Sequence, residues 1–302
     1  MRVTHTRRGH AYSRIAKARS QSAMEYLMTY GWAILIIAIV VVALFSLGVF
    51  NPSNFAARAQ PGLCEVLRSS AVVSLAGQCN GLLPEYVAQF NGGTVQLPQL
   101  PITIGSVTIT AWVYFPPGTS SNYYDFIGFH NAAGYGFEDL MLPSGELGTR
   151  FDTLSYSNYY AYGSTLSPIG AWVFYAVVLY QSSYAIGYTD AQVGSGTPAY
   201  SSYYLTANQN YIGFPGANLH YGGDPPDGIM ISNVQLYNTS LSQPEIQALY
   251  QEGIGRAPIN VNNLVGWWPL NGNANDYSGN GNDGTPSNVT YTSSWTSGYS
   301  AP

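Results

Sequence analysis

The stretch Asp227–Gly253, DGIMISNVQLYNTSLSQPEIQALYQEG, changes its period halfway along, and that change decides the fold. In the first half Met230, Val234 and Leu236 share a parity, which predicts a strand with one apolar face. The second half opens on Ser242-Gln243-Pro244-Glu245, a capping box with proline in the first turn. Ile246, Leu249 and Tyr250 then fall on one helical face, and Gly253 supplies the stop. A strand followed at once by a short capped helix is the unit from which the rest is read.

Working outward, Val107, Ile109, Ala111, Val113 and Phe115 alternate with Thr108, Thr110, Trp112 and Tyr114, a second strand with one apolar face. Trp172–Tyr180 is almost wholly apolar, as in a strand buried on both sides. Asn91-Gly92-Gly93, Pro116-Pro117-Gly118 and Gly222-Gly223-Asp224 predict turns between strands. Many short strands at close intervals predict an all-β sandwich or jelly roll interrupted by one short helix.

Taken in order, YVAQFNGGT at 86–94, VTITAWVYF at 107–115, GAWVFYAVVLY at 170–180 and the strand–helix unit at 227–253 resemble the successive blocks of LamG-type concanavalin A-like domains. The resemblance covers roughly residues 82–291 and implies a two-sheet jelly roll serving adhesion or carbohydrate recognition. One block is out of order. LVGWWPLNGNANDYSGNGNDG at 264–284 resembles the family's opening strand and loop, yet it follows the usual closing helix. Residues 264–291 therefore read as a circular permutation, the other reading being a truncated second repeat. On the permuted reading Leu264, Trp268 and Leu270 face the core, Val265 and Trp267 face away, and the segment pairs with the strand ending at Tyr237.

The other end of the chain has a different character. Ala33–Phe50 reads AILIIAIVVVALFSLGVF, without a charge, and extended back to Tyr26 it is about 25 residues, enough to span a bilayer. Arg2, Arg7, Arg8, Arg14, Lys17 and Arg19 precede it and no acid comes before Glu25, which predicts a cytoplasmic N-terminus and an exported body. Asn51-Pro52 stops the helix. The junction KARSQSAMEYL at 17–27 resembles the class III signal peptide of archaeal type IV pilin-like precursors. That resemblance implies cleavage between Ser20 and Gln21 by a prepilin peptidase. It also implies a mature helix over 21–51, held in the membrane before assembly and by copies of itself in a filament. Glu25 would then pair with the new amine of a neighbouring subunit; the other reading is a carboxylate resting at the headgroups. The organisation expected is a leader at 1–20, the helix at 21–51, a linker at 52–81 and a β-sandwich at 82–302.

Charged residues make up only 8% of the chain, and six of its ten cations lie in the leader. What remains carries 4 − 15 = −11 and no lysine, which argues against a nucleic-acid partner. Cys64 and Cys79 follow the apolar segment; in an oxidising compartment they would close a loop worth roughly 3 kcal/mol, and otherwise they are free thiols.

No enzyme is read. His130 and His220 look isolated, and the adjacent Glu138 and Asp139 should point to opposite faces of a strand. No cofactor is required. Calcium is possible, because Asp276 with Asp283, and Asp224 with Asp227, frame Asn/Gly-rich loops, although Asx turns explain both loops without metal. Tyr123, Tyr124, Tyr159, Tyr160, Tyr162, Tyr203 and Tyr204 are candidates for stacking on a glycan or other surface ligand, against the plainer readings of sheet packing and filament contacts. Asn238 and Asn288 open glycosylation sequons. Two functions fit: the subunit of an archaeal pilus-like surface filament with an adhesive head, or a membrane-tethered, glycan-binding adhesin outside the bulk filament.

Overall fold

The computed structural model describes residues 28, 30–43, 64–68, 72–76, 83–102, 106–120, 122–130, 136–152, 158–166, 169–180, 184–198, 209–214 and 227–302. The chain divides into two units, Met1–Ala57 and Arg58–Pro302. Ser20, Gln21, Glu25, Cys79, Tyr203, Tyr204, His220 and Asp224 lie outside the described residues.

In the first unit residues 30–43 form a helix, α1. Ile34, Leu35, Ile36 and Ile37 are all exposed, so apolar side chains point outward on every side rather than along one stripe. No helix among the described residues is long and apolar enough to cross a membrane.

The second unit is a β-sandwich. Its strands run β14-β13-β4-β9-β10-β11-β8-β7-β6-β5-β12-β3-β15, and an added pairing of β13 with β3 closes the sheet on itself. One layer is built around β13 (Ile229–Tyr237), β4 (Val107–Tyr114), β9 (Trp172–Tyr180) and β14 (Leu264–Trp268). β10 (Tyr184–Thr189) and β11 (Gln192–Pro198) turn the corner. The other layer holds β8 (Asn158–Leu166), β7 (Glu146–Asp152), β6 (Gly136–Met141), β5 (Tyr124–His130), β12 (Gln209–Gly213), β3 (Val87–Leu97) and β15 (Thr285–Thr292).

Two cores follow from strict alternation. Val107, Ile109, Ala111, Val113 and Phe115 enter the core between the layers, as their parity predicts. Trp112 and Tyr114 leave by the opposite face and join a second cluster. Trp172–Tyr180 is likewise buried on both sides, Val173, Tyr175 and Val177 inward, Trp172, Phe174 and Ala176 outward. α2 (Gln243–Glu252) covers this outward face with Ile246 and Leu249. The Glu245 carboxylate accepts the Ser242 backbone N–H at 2.8 Å and the Ser242 hydroxyl at 2.7 Å, which holds its pKa below the usual range. Trp295 and Tyr299 complete the cover: Trp112 stacks on Tyr250 and meets Tyr299 edge-on, and Trp295 meets Trp172 at 89°.

Three details depart from the reading of the sequence. Met230 does not share a face with Val234 and Leu236; it lies in the outer cluster, they in the inner. Asn233 adopts φ 52° and inserts a bulge against β4, which exchanges the faces beyond it. A second bulge at Val265 does the same to β14, so Val265 joins Trp268 and Leu270 in the inner core while Leu264 lies outward with Trp267. Asn91-Gly92-Gly93 is not a turn between strands but a kink inside β3, which pairs with β13 before it and with β12 after it.

β14 does pair antiparallel with β13, Val234 opposite Trp268. Residues 64–76, expected as part of a linker, instead include a hairpin, β1 (Glu65–Arg68) with β2 (Val73–Ala76), packed on the sandwich. Cys64, at its base, is disulfide-bonded; the chain has one other cysteine, Cys79.

Candidate functional site

The outward face of the second layer carries a charged row in the middle of a sheet. Register places Tyr211 of β12, Gly128 of β5, Glu138 of β6, Arg150 of β7 and Tyr160 of β8 side by side across five strands. Glu138 Oε2 accepts Arg150 Nη2 at 2.5 Å, and Glu138 Oε1 lies 3.0 Å from His130 Nε2. His130, Glu138 and Arg150 are 1%, 0% and 2% exposed. An ion pair at that depth stands only when both charges are compensated, because removing one partner leaves the other uncompensated in a low dielectric. Tyr211 stacks on His130, ring centroids 6.0 Å apart and 13° from parallel. The Tyr211 ring also crosses Gly128 so closely that a Cβ there would lie 2.1 Å from it. Glycine at 128 is therefore a packing requirement.

The next row along the same face joins Leu140, Gly148, Tyr162 and Ser195. Tyr162 is half-buried, and its pKa is raised by burial first, then by Glu146 and Tyr123. Register sets Tyr162 opposite Gly148, two residues along β7 from Glu146, one row from the charged row. Glu146 Oε2 accepts the Ser144 hydroxyl at 3.0 Å and remains exposed enough to meet solvent. Tyr124 is excluded as a ligand-stacking residue: it is 5% exposed, sits in the inner core and bonds Ser120. Tyr159 and Tyr160 lie on β8, and their side chains are outside the described residues.

His130 is not isolated, contrary to the sequence reading. Glu138 and Asp139 do point to opposite faces, and both are buried. Asp139 enters the inner core, where Oδ1 lies 2.5 Å from Thr149 Oγ1 and that hydroxyl lies 2.7 Å from Tyr175 Oη of the facing layer. Oδ2 has no partner among the described residues. Burial pushes the Asp139 carboxyl up to about 7, with Glu138 adding to the rise and Thr149 opposing it. Tyr175 is driven well above the usual phenol range, again mainly by burial.

In the Asp276–Asp283 loop nominated for calcium, both carboxylate oxygens of Asp276 and one of Asp283 accept hydrogen bonds from the protein. Asp276 Oδ1 accepts Trp267 N and Ser278 N, and Oδ2 accepts Asn282 N and Ser278 Oγ, all within 2.7–2.9 Å. Asp283 Oδ1 accepts Asp276 N at 2.8 Å. Asp227 is an exposed turn residue. No cluster of three or more His, Cys, Asp or Glu side chains suited to a metal occurs among the described residues.

Arg150 is what sequence reasoning missed. The signal was present: the body holds four cations, and this one interrupts a strand between Thr149 and Phe151. A cation there needs a buried acid, and Glu138 is the cross-strand answer.

The profile of the concanavalin A-like lectin/glucanases superfamily (Laminin_G_3) matches residues 90–247. Among solved structures, a candidate carbohydrate-binding protein from Bacteroides ovatus aligns with a TM-score of 0.51 at 14% identity, over 78% of this chain and 70% of its own. A heptameric SAP-like pentraxin from Limulus polyphemus aligns with a TM-score of 0.48 at 12% identity, over 68% of this chain and 94% of its own. Among curated proteins, none matches the sequence.

Proposed function

The chain belongs to the concanavalin A-like lectin/glucanases superfamily, and on that premise we propose that its sandwich is a glycan-binding head carried on a filament-forming apolar helix. The observation that carries the binding role is the half-buried Tyr162 opposite Gly148, two residues along β7 from Glu146 and one row from the charged row. Aromatic faces accept the apolar face of a sugar ring, and a carboxylate accepts its hydroxyls. The likeness to the candidate carbohydrate-binding protein from Bacteroides ovatus is consistent with that role. The acidic body favours a neutral glycan over an acidic one.

The assembly role rests on the leader, on the KARSQSAMEYL junction and on α1, whose apolar side chains face outward all round and need either lipid or identical helices as cover. In this reading a prepilin peptidase frees Gln21, Glu25 pairs with a neighbouring N-terminus, and the head is displayed at the cell surface. Calcium is not required.

Two measurements test the pair of roles. N-terminal sequencing of the protein from its own membranes should begin at Gln21; a start at Met1 or beyond Phe50 rejects the filament role. Glycan-array binding by the detergent-solubilised full chain should fall at least tenfold in Tyr162→Ala without a change in melting temperature. Undiminished binding rejects this rim as the site.

A further inference from the structure

The two ends of the closed sheet are finished differently. β14 terminates one end, and its outer backbone groups are occupied by a loop rather than a strand. Trp267 N–H donates to Asp276, and Trp267 O accepts Tyr277 N–H. Val265 O accepts Ser278 Oγ, Asn280 Nδ2 and Asn282 Nδ2, and Leu264 O accepts Asn280 Nδ2 and Arg68 Nη2. β15 terminates the other end, pairing with β3 on one side and, among the described residues, with no strand on the other. Such an edge is a template for another chain unless something blocks it. Pro286 removes one donor, and Asn288, with φ 53°, alone faces the bulge that Asn91-Gly92-Gly93 makes in β3.

The two sequons are also treated differently by the fold. Asn238 is half-buried with its N–H on Asn263 O, and the Ser240 hydroxyl of its sequon is committed to Leu179 O. Asn288 is exposed opposite the β3 bulge, and Thr290 of its sequon is exposed as well, its hydroxyl only 3.4 Å from Gln89 O at the surface. Asn288 Nδ2 donates one hydrogen to Asn91 O at 2.7 Å. A primary amide nitrogen carries two hydrogens, so one is left for substitution.

We propose that Asn288, and not Asn238, carries an N-linked glycan, and that this glycan blocks the open edge of β15. The donor is a lipid-phosphate-linked oligosaccharide. Asn288 Nδ2 bonds to the sugar C1, the bond from C1 to the phosphate oxygen breaks, and the lipid phosphate leaves with that electron pair. One Nδ2 proton passes to a base of the membrane transferase. The remaining N–H still donates to Asn91 O, so the contact of Asn288 with the β3 bulge survives its modification. A hydrated oligosaccharide at mid-strand leaves no room for a second strand along the free edge.

Peptide mass spectrometry of the full chain purified from its own cells should find a hexose-containing mass on the peptide bearing Asn288 and none on the peptide bearing Asn238. An unmodified Asn288 peptide, or a glycan on Asn238 alone, overturns the assignment. Thr290→Ala removes the sequon but keeps Asn288 and its bond to Asn91. In detergent, where α1 is shielded, this variant should lose the glycan and associate at concentrations at least several-fold lower by light scattering. Thr290→Ser, which restores the sequon, should restore both. Loss of the glycan with unchanged association overturns the edge-blocking role, and neither result depends on whether the head binds sugars.

Discussion

Asp276 accepts the backbone N–H of Trp267 at 2.9 Å, and in doing so stands where the next strand of the sheet would be. The same carboxylate holds Ser278 and Asn282, so one side chain both shapes the loop and seals the edge. Hydrogen bonds to a charged acceptor contribute roughly 1.5–3 kcal/mol each before relaxation. Asp276→Ala should therefore lower stability by about 3 kcal/mol in denaturant titration. Chelators should leave the melting temperature of the unsubstituted protein unchanged. A fall in that temperature with EDTA would show that metal also holds this loop.

Gly128 tests the outward row. A methyl group at 128 would lie 2.1 Å from the Tyr211 ring, so Gly128→Ala must displace the ring or the strand. Overpacking of this kind costs about 1–3 kcal/mol. The expected result is a lower melting temperature and altered near-ultraviolet dichroism; an unchanged spectrum would mean that the ring does not lie over residue 128.

The buried carboxyl makes stability depend on pH in a defined direction. In the folded head Asp139 titrates near 7, against 3.8 for the free side chain. Between those values the unfolded chain has lost the proton and the folded one retains it, so rising pH favours unfolding across that window. Stability from this group is complete below about pH 4 and lost by about pH 7. Asp139→Asn should remove that slope, gaining most at pH 8 and least at pH 4. A parallel pH profile in the variant would locate the titration elsewhere.

Arg68 fixes the hairpin to the body. Its guanidinium donates to the carbonyl oxygens of Ser278, Val261 and Leu264 at 2.7–2.9 Å, and Val66 N–H reaches Tyr277 O. Arg68→Met should speed hydrogen exchange at Val66 by at least tenfold. Arg68→Lys should rescue little, since an ammonium cannot serve three carbonyls in one plane. Full protection at Val66 in both variants would show that the disulfide at Cys64 holds the hairpin unaided.

How far these features can be read in the chain depends on their range. The alternation of β4, the two-sided burial of β9 and the cap of α2 are local patterns, and the structure repeats them. Met230 and Leu264 went to the wrong face because Asn233 and Val265 each add one residue to a strand, and nothing in their side chains announces it. Tyr124 reads like Tyr123 in the chain, yet one step in parity sends it into the core. The pairing of Glu138 with Arg150 and His130 depends on the register of three strands, which composition does not encode.

The sheet that closes on itself also sets an order of events. Gln89 of β3 meets Thr290 of β15 across 201 residues, and Pro84 accepts the Trp295 indole across 211. Loop closure over such distances is slow, because chain entropy is lost before any contact compensates it. While the chain is being made, β3 emerges early and waits with one edge bare until β15 follows. For that interval the sandwich is an unfinished sheet, and its safety rests on the speed of synthesis and on whatever shields nascent strands.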